Sequence, residues 1–271
     1  MNPRERAAHR ETAALRGHYG LGVAPIADMH ELVETMGSAI LVAVLPMPEG
    51  MDAMVVKDPK RHRTVVGVAT TNVPGRQRLS LAHELAHIVH DDYLDEIPPD
   101  CSARTDSEKD ADTFARHLLA PLEGIRGFVS NIARGRPLEL RDLSSLTRHF
   151  NVSPSVILIQ LSILGLITPS QAEDFRTYSA RTLSTRFGWL DDYKASATES
   201  STPRPPRSLM ERATEGYEKH VIHLNALARL GGEDPLAFLA ELKDAGIVPQ
   251  PRPSVEDSRV SDADFFGLDA V

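Results

Sequence analysis

Residues 83–87 read His83-Glu84-Leu85-Ala86-His87, and the positions around them carry a helical pattern. Residues four apart on a helix differ by only about 40° around the axis, so the two imidazoles point the same way and can grip one ion. Neutral imidazole suits zinc, and a catalytic zinc site leaves one position open for water, beside which Glu84 would sit. With eleven histidines in the chain, two of them at this spacing are only moderately specific, and a third ligand is required.

The run Glu108-Lys109-Asp110-Ala111-Asp112 supplies it on a second helix, after a connector long enough to turn back. Glu108 is the expected third ligand. Asp112, four residues later on the same face, would accept the outer ring N–H of a ligand histidine and fix its tautomer. A histidine six positions beyond His87, the other common way to finish such a site, is absent: Tyr93 stands there. With zinc polarising a peptide carbonyl, Glu84 would act as the base; Tyr93 is a weak candidate for oxyanion donor. Manganese or iron could occupy the same ligands.

Other residues invite chemistry and lose to plainer readings. His90 belongs at the end of the metal helix, near its negative dipole end. His117 lies half a turn off the ligand face of Glu108. Cys101, the single cysteine, falls in the connector, where a thiolate could block the metal; a plain loop thiol is the expectation. The cluster Lys57, Lys60, Arg61, Arg63, Arg76 and Arg78 could dock an acidic strip, but reads by default as a solvated surface. Gly17, Gly20 and Gly22 follow no strand and form no nucleotide fingerprint.

The elements that must position these groups are mostly helical. Residues 3–18 and 25–36 read as two helices. Short Val-rich stretches at 39–45, 53–57 and 64–70 read as a small antiparallel sheet. Helices over 76–89 and 107–119 hold the site, flanking an acidic, proline-marked connector from Asp91 to Asp106. The expected fold is therefore α+β, mostly helical: a metallopeptidase-like domain over 1–130 and a helical, helix-turn-helix-like region over 131–194. A Ser/Thr/Pro-rich linker follows at 195–206, then a C-terminal helical domain over 207–248, with helices 209–230 and 235–245, and an acidic, mobile tail over 249–271.

The helix-turn-helix outline, Leu140 to Phe150 and then Ser155 to Leu164 after the Asn151–Pro154 turn, suggests DNA binding. The second helix has no Lys or Arg, so direct DNA binding is not expected, and a buried packing helix is. The formal net charge of −8 argues the same way and against an anionic membrane surface. One cysteine, a charged N-terminal stretch and no membrane-length apolar run are the pattern of a soluble cytoplasmic protein. No feature of the sequence specifies an oligomeric state.

The segment from Arg76 to His87, with Glu108 to Ala115 and Leu118-Leu119-Ala120-Pro121, closely resembles the ImmA/IrrE family of metallopeptidases. The resemblance spans about residues 10–170, through Phe150-Asn151-Val152-Ser153-Pro154 and Leu164 to Ile167. It implies a zincin-like (gluzincin) fold, a metal site at His83, His87 and Glu108 with Glu84 as base, and regulated cleavage of a helix-turn-helix repressor that derepresses phage, mobile-element or stress genes. Leu79-Ser80 and Ala86 depart from the family's usual Phe-Thr and Gly, which are mild packing changes. A reading of another class is a transcription regulator or interaction module that keeps the metal only as a structural clamp.

Overall fold

The structure is a computed structural model. It describes residues 1–251 apart from 38, 59, 61 and 93–104. The expectations for Tyr93, Cys101, Arg61 and most of the tail fall outside the described residues. The chain divides into two units, Met1–Pro206 and Arg207–Val271.

The first unit opens with α1 (Pro3–His18), capped by the Asn2 side chain on Glu5 N, and α2 (Met29–Thr35). α2 starts later than the apolar spacing predicts. Asp28 caps it by accepting from His30 N and Glu31 N, and the carbonyls of Ile26 and Ala27 are taken by the Arg78 guanidinium instead of a helical ladder.

Three strands follow: β1 (Ile40–Leu45), β2 (Ala53–Asp58) and β3 (Arg63–Ala69), in the order β1-β3-β2. The sheet is mixed, not purely antiparallel as expected. β2 and β3 form an antiparallel hairpin, and β1 lies on the far side of β3 and parallel to it, in register from Ile40 opposite Thr64 to Leu45 opposite Ala69. A Val-rich composition favours extended backbone without specifying strand direction, so the sense of the β1–β3 pairing was hidden. Val66 and Val68 on the central strand are fully buried.

The core of the unit is built on α3 (Pro74–His90) and α4 (Asp106–Leu119). Leu81, Ala82, Leu85 and Ala86 bury one stripe of α3, and Ala111, Phe114, Ala115 and Leu118 one stripe of α4. The four alanines among these let the two axes approach closely, which sets the distance between the side chains that the helices carry on the adjoining faces. α5 (Leu122–Ala133), α6 (Leu140–Phe150), α7 (Pro154–Ile163) and α8 (Pro169–Arg176) extend the same core. α7 buries Val156, Ile157, Leu158, Gln160 and Leu161.

α9 (Ala180–Arg186) and α10 (Leu190–Ser201) complete the unit, and α10 corrects the linker expectation for 195–206. Its last turns run to Ser201. Ser200 is buried, its hydroxyl donates to Thr71 O, its carbonyl accepts from Thr71 N and the Gln77 amide, and Arg204 bridges to Val44. Ser and Thr suit a linker by composition, but here they are held by backbone and side-chain hydrogen bonds.

The second unit contains α11 (Arg207–Glu218), α12 (Leu224–Gly231) and α13 (Pro235–Asp244), around Tyr217, Leu227 and Leu242. The single helix expected over 209–230 is broken between Glu218 and Leu224. His220 there takes a left-handed φ of 57°, and Val221 and Ile222 both return their N–H groups to Gly216 O. No helix among the described residues is long and apolar enough to cross a membrane.

Candidate metal centre

His83, Glu84 and His87 come from the middle and last turn of α3, and Glu108 and Asp112 from the first two turns of α4. Thr105 caps α4 by accepting from Glu108 N, which fixes the first turn and so the direction in which the Glu108 side chain leaves it. His83 Nε2 lies 3.1 Å from Glu108 Oε2 and 3.2 Å from His87 Nε2, and His87 Nε2 lies 3.5 Å from Glu108 Oε1. Among the described residues these three are the group of His, Cys, Asp and Glu side chains that could hold a metal ion, their donor atoms all within 4.8 Å of one another.

The outer ring nitrogens determine what those donor atoms are. His83 Nδ1 is 3.0 Å from Asp112 Oδ1, and His87 Nδ1 is 2.9 Å from Asp92 Oδ1. A carboxylate can only accept, so each Nδ1 carries the proton, and in the neutral ring each Nε2 presents a lone pair. Two lone pairs and a carboxylate thus converge with no donor between them among the described residues, an arrangement that a cation satisfies. Tetrahedral bonds of 2.0–2.1 Å would put ligand atoms about 3.3 Å apart, the separation found here. The donor set fits zinc.

Asp92 was not among the expected site residues. It follows the left-handed Asp91 (φ 49°) that ends α3, so the chain folds back and its carboxylate meets a histidine one turn earlier. Its second oxygen accepts a short hydrogen bond from Ser107 Oγ at the start of α4. One aspartate thereby ties the end of one ligand helix to the beginning of the other. The only sequence signal was an acidic pair directly after the helix.

Electrostatics bind the group together. Burial pulls His83 down, but the hydrogen bond to Asp112 and the charges of Glu84, Glu108 and Asp112 outweigh it and hold the imidazole above its ordinary range. Burial pushes the Glu84 carboxyl up; the nearby histidines oppose this in part and Glu108 adds to it. Asp92 is pushed up by burial, yet the hydrogen bonds from Ser107 and His87 leave it below its usual range.

The remaining candidates lie elsewhere. His90 Nε2 pairs with Glu11 at 3.0 Å, and His117, fully buried, meets Glu5 at 2.7 Å; neither reaches the three donors. Within the basic cluster, Arg78 is buried and Arg76 pairs with Asp52, while Lys57 at the end of β2 meets Asp91 at 3.0 Å.

Comparison with known proteins adds the family. No curated protein matches the chain. A solved structure described as a Mycobacterium tuberculosis transcriptional regulator aligns at 21% identity and a TM-score of 0.40, over 60% of this chain and 47% of that one; the chain thus spans about half that regulator's length. Residues 37–162, which include both ligand helices, match the Peptidase_M78 model, described as the IrrE N-terminal-like domain. This domain match supports a metallopeptidase of the ImmA/IrrE type.

Proposed function

We propose that the protein is a zinc-dependent, site-specific endopeptidase of the cytoplasm, with His83, His87 and Glu108 as ligands and Glu84 as base, acting on a helix-turn-helix transcriptional repressor. The observation that carries this reading is the convergence of two imidazole lone pairs and the Glu108 carboxylate at 3.1–3.5 Å, with Glu84 on the same helix. Zinc in that position would polarise a peptide carbonyl and make water a nucleophile near neutral pH.

The chain's own residues do the rest. Glu84 takes the proton of the attacking water and passes it to the leaving amine; a carboxyl raised by burial is suited to both halves of that transfer. It has no hydrogen-bond partner among the described residues, which leaves its oxygens available, and a purely structural clamp has no use for such a group beside the ligands. Asp112 and Asp92 hold the imidazoles in the ligating tautomer. β2 pairs with β3 on one side only among the described residues, so the outer edge of Ala53–Val56 offers backbone donors and acceptors to an extended peptide. The repressor as substrate rests on the family.

The test incubates the full chain with helix-turn-helix repressors from the same genome, taking first any that an adjacent gene encodes, with and without chelator, and compares Glu84→Gln. Cleavage is expected only from the metal-loaded wild type, with zinc still bound by the variant. A Glu84→Gln protein that cuts as fast as wild type would remove Glu84 from the chemistry, and a chelator-resistant reaction would remove the metal.

A further inference from the structure

A cleft of about 720 Å³ lies at the opposite end of α3 from His87, lined by the first residues of α3, α7 and α9 and by α10. α3 and α7 start in direct contact: a Cβ on Gly75 would stand 3.1 Å from Ser153 N. Both open with proline, and Val73, the residue before α3, provides no side-chain cap. Ser153 caps α7 on Val156 N and Arg76 N returns to Val73 O, so the first-turn N–H groups left at the cavity are those of Gly75 and Ser155, at the positive dipole ends of helices of 17 and 10 residues.

Two further features mark this cavity as built for a ligand. Thr147, 2% exposed, lines it, and its buried hydroxyl has no hydrogen-bond partner. A helical threonine ordinarily satisfies that hydroxyl on the carbonyl one turn back, so an orphan here is a donor awaiting an acceptor. The charged residues of the lining are Arg148, Arg176, Arg181 and Asp192. Arg148 pairs with Asp192 and Arg176 with Glu173, whereas Arg181 makes no ion pair among the described residues. The lining also carries the aromatic residues Tyr178, Trp189 and Tyr193, with the Trp189 ring fixed by its N–H on Ser144 Oγ at 2.9 Å.

We propose that this cleft is a binding site for a small phosphorylated molecule with a flat ring, of nucleotide size, its phosphate at the starts of α3 and α7 beside Thr147 and Arg181 and its ring against these aromatic residues. Oriented N–H groups, an unspent hydroxyl and an unpaired guanidinium recognise a phosphate; the volume suits such a ligand and exceeds what a bare anion needs. The site is separate from the metal centre, because Pro74 precedes His83 by nine residues, about 13 Å along the helix.

Trp189 is the chain's one tryptophan, so its fluorescence reports on the cleft directly. The full chain is titrated with inorganic phosphate, pyrophosphate and adenosine diphosphate at constant ionic strength. A saturable change is expected, tightest for the nucleotide, weakened about tenfold by the exposed-site variant Arg181→Glu and severalfold by the near-isosteric Thr147→Val. Arg181→Glu alone suffices should Thr147→Val fold poorly. No saturable signal with any probe, or one that Arg181→Glu leaves unchanged, overturns the proposal. So does binding of a short DNA duplex, abolished by Arg181→Glu, without binding of the nucleotide, which would make the cleft part of a nucleic-acid surface.

Discussion

His87 Nδ1 and Asp92 Oδ1 stand 2.9 Å apart, five residues along the chain and on opposite sides of a left-handed turn. The imidazole is oriented by the carboxylate, and the carboxylate by Ser107 of the next helix. Replacing Asp92 with Asn keeps the shape but frees His87 to present either nitrogen. Zinc affinity is expected to fall about 10- to 100-fold, and Asp112→Asn should do the same through His83. Competition with a chromophoric chelator measures it; an unchanged affinity in both variants would mean that the outer carboxylates do not set the tautomer.

Metal binding should also stabilise the fold and compete with protons. A ligand that binds only the folded chain adds about 2.7 kcal/mol at a hundredfold excess over its Kd, so zinc should raise the melting temperature of the wild type and much less that of Glu108→Ala. His83 is held above its ordinary 6.5 and must lose its Nε2 proton to ligate. Apparent zinc affinity is therefore expected to begin falling at a higher pH than an unperturbed histidine would impose. Calorimetric titrations across neutral pH, in buffers of different ionisation enthalpy, count the protons released; none released would contradict the raised value.

Much of this centre was legible because helical periodicity converts sequence spacing directly into a shared face. His83 and His87, or Glu108 and Asp112, are neighbours on any helix, whatever surrounds them. Asp92 was not legible, because its role depends on Asp91 adopting a left-handed backbone, which an aspartate tolerates without announcing. The β1–β3 direction and the break at His220 were hidden for the same reason: each is decided by long-range pairing or by single dihedrals, to which residue type is nearly silent. Ser200 shows the converse error, since a polar residue in a Ser/Thr run became buried once Thr71 and Gln77 took its hydrogen bonds.

Arg16 ties α1 to the helix that carries Glu108. It is 2% exposed and donates to the carbonyls of Gly22, Ala24 and Leu118, and burial pulls its guanidinium down to about 10. Among the described residues no carboxylate pairs with it, and carbonyl dipoles compensate its charge. Arg16→Met would fill much of the volume and leave three acceptors without their donor, at an expected cost of about 2–4 kcal/mol in urea unfolding. Arg16→Lys should recover little of that, since a single ammonium cannot reach three divergent carbonyls.

The α1 to α4 contact also gives the protein an acid sensitivity independent of the metal. Glu5 lies 2.7 Å from His117 and 3.0 Å from Arg116; burial pushes its carboxyl up, and these two partners bring it below its ordinary 4.5. Burial holds His117 below its ordinary 6.5 despite Glu5, so the ring is neutral, with Nε2–H on Glu5 and Nδ1 3.5 Å from the Gln160 amide. Both depressed values have the same sign of linkage. The contribution of His117 is complete above 6.5 and declines as pH falls below it, because the unfolded chain takes up a proton that the folded chain resists. That of Glu5 is complete above 4.5 and is lost as pH falls through its lower folded value. Melting temperature should thus drop in two stages on acidification. In Glu5→Gln the stage below 4.5 should shrink while the stage beginning near 6.5 persists, because desolvation of His117 does not need the carboxylate. If the variant's profile paralleled the wild type's at every pH, the Glu5 pair would have no part in acid unfolding.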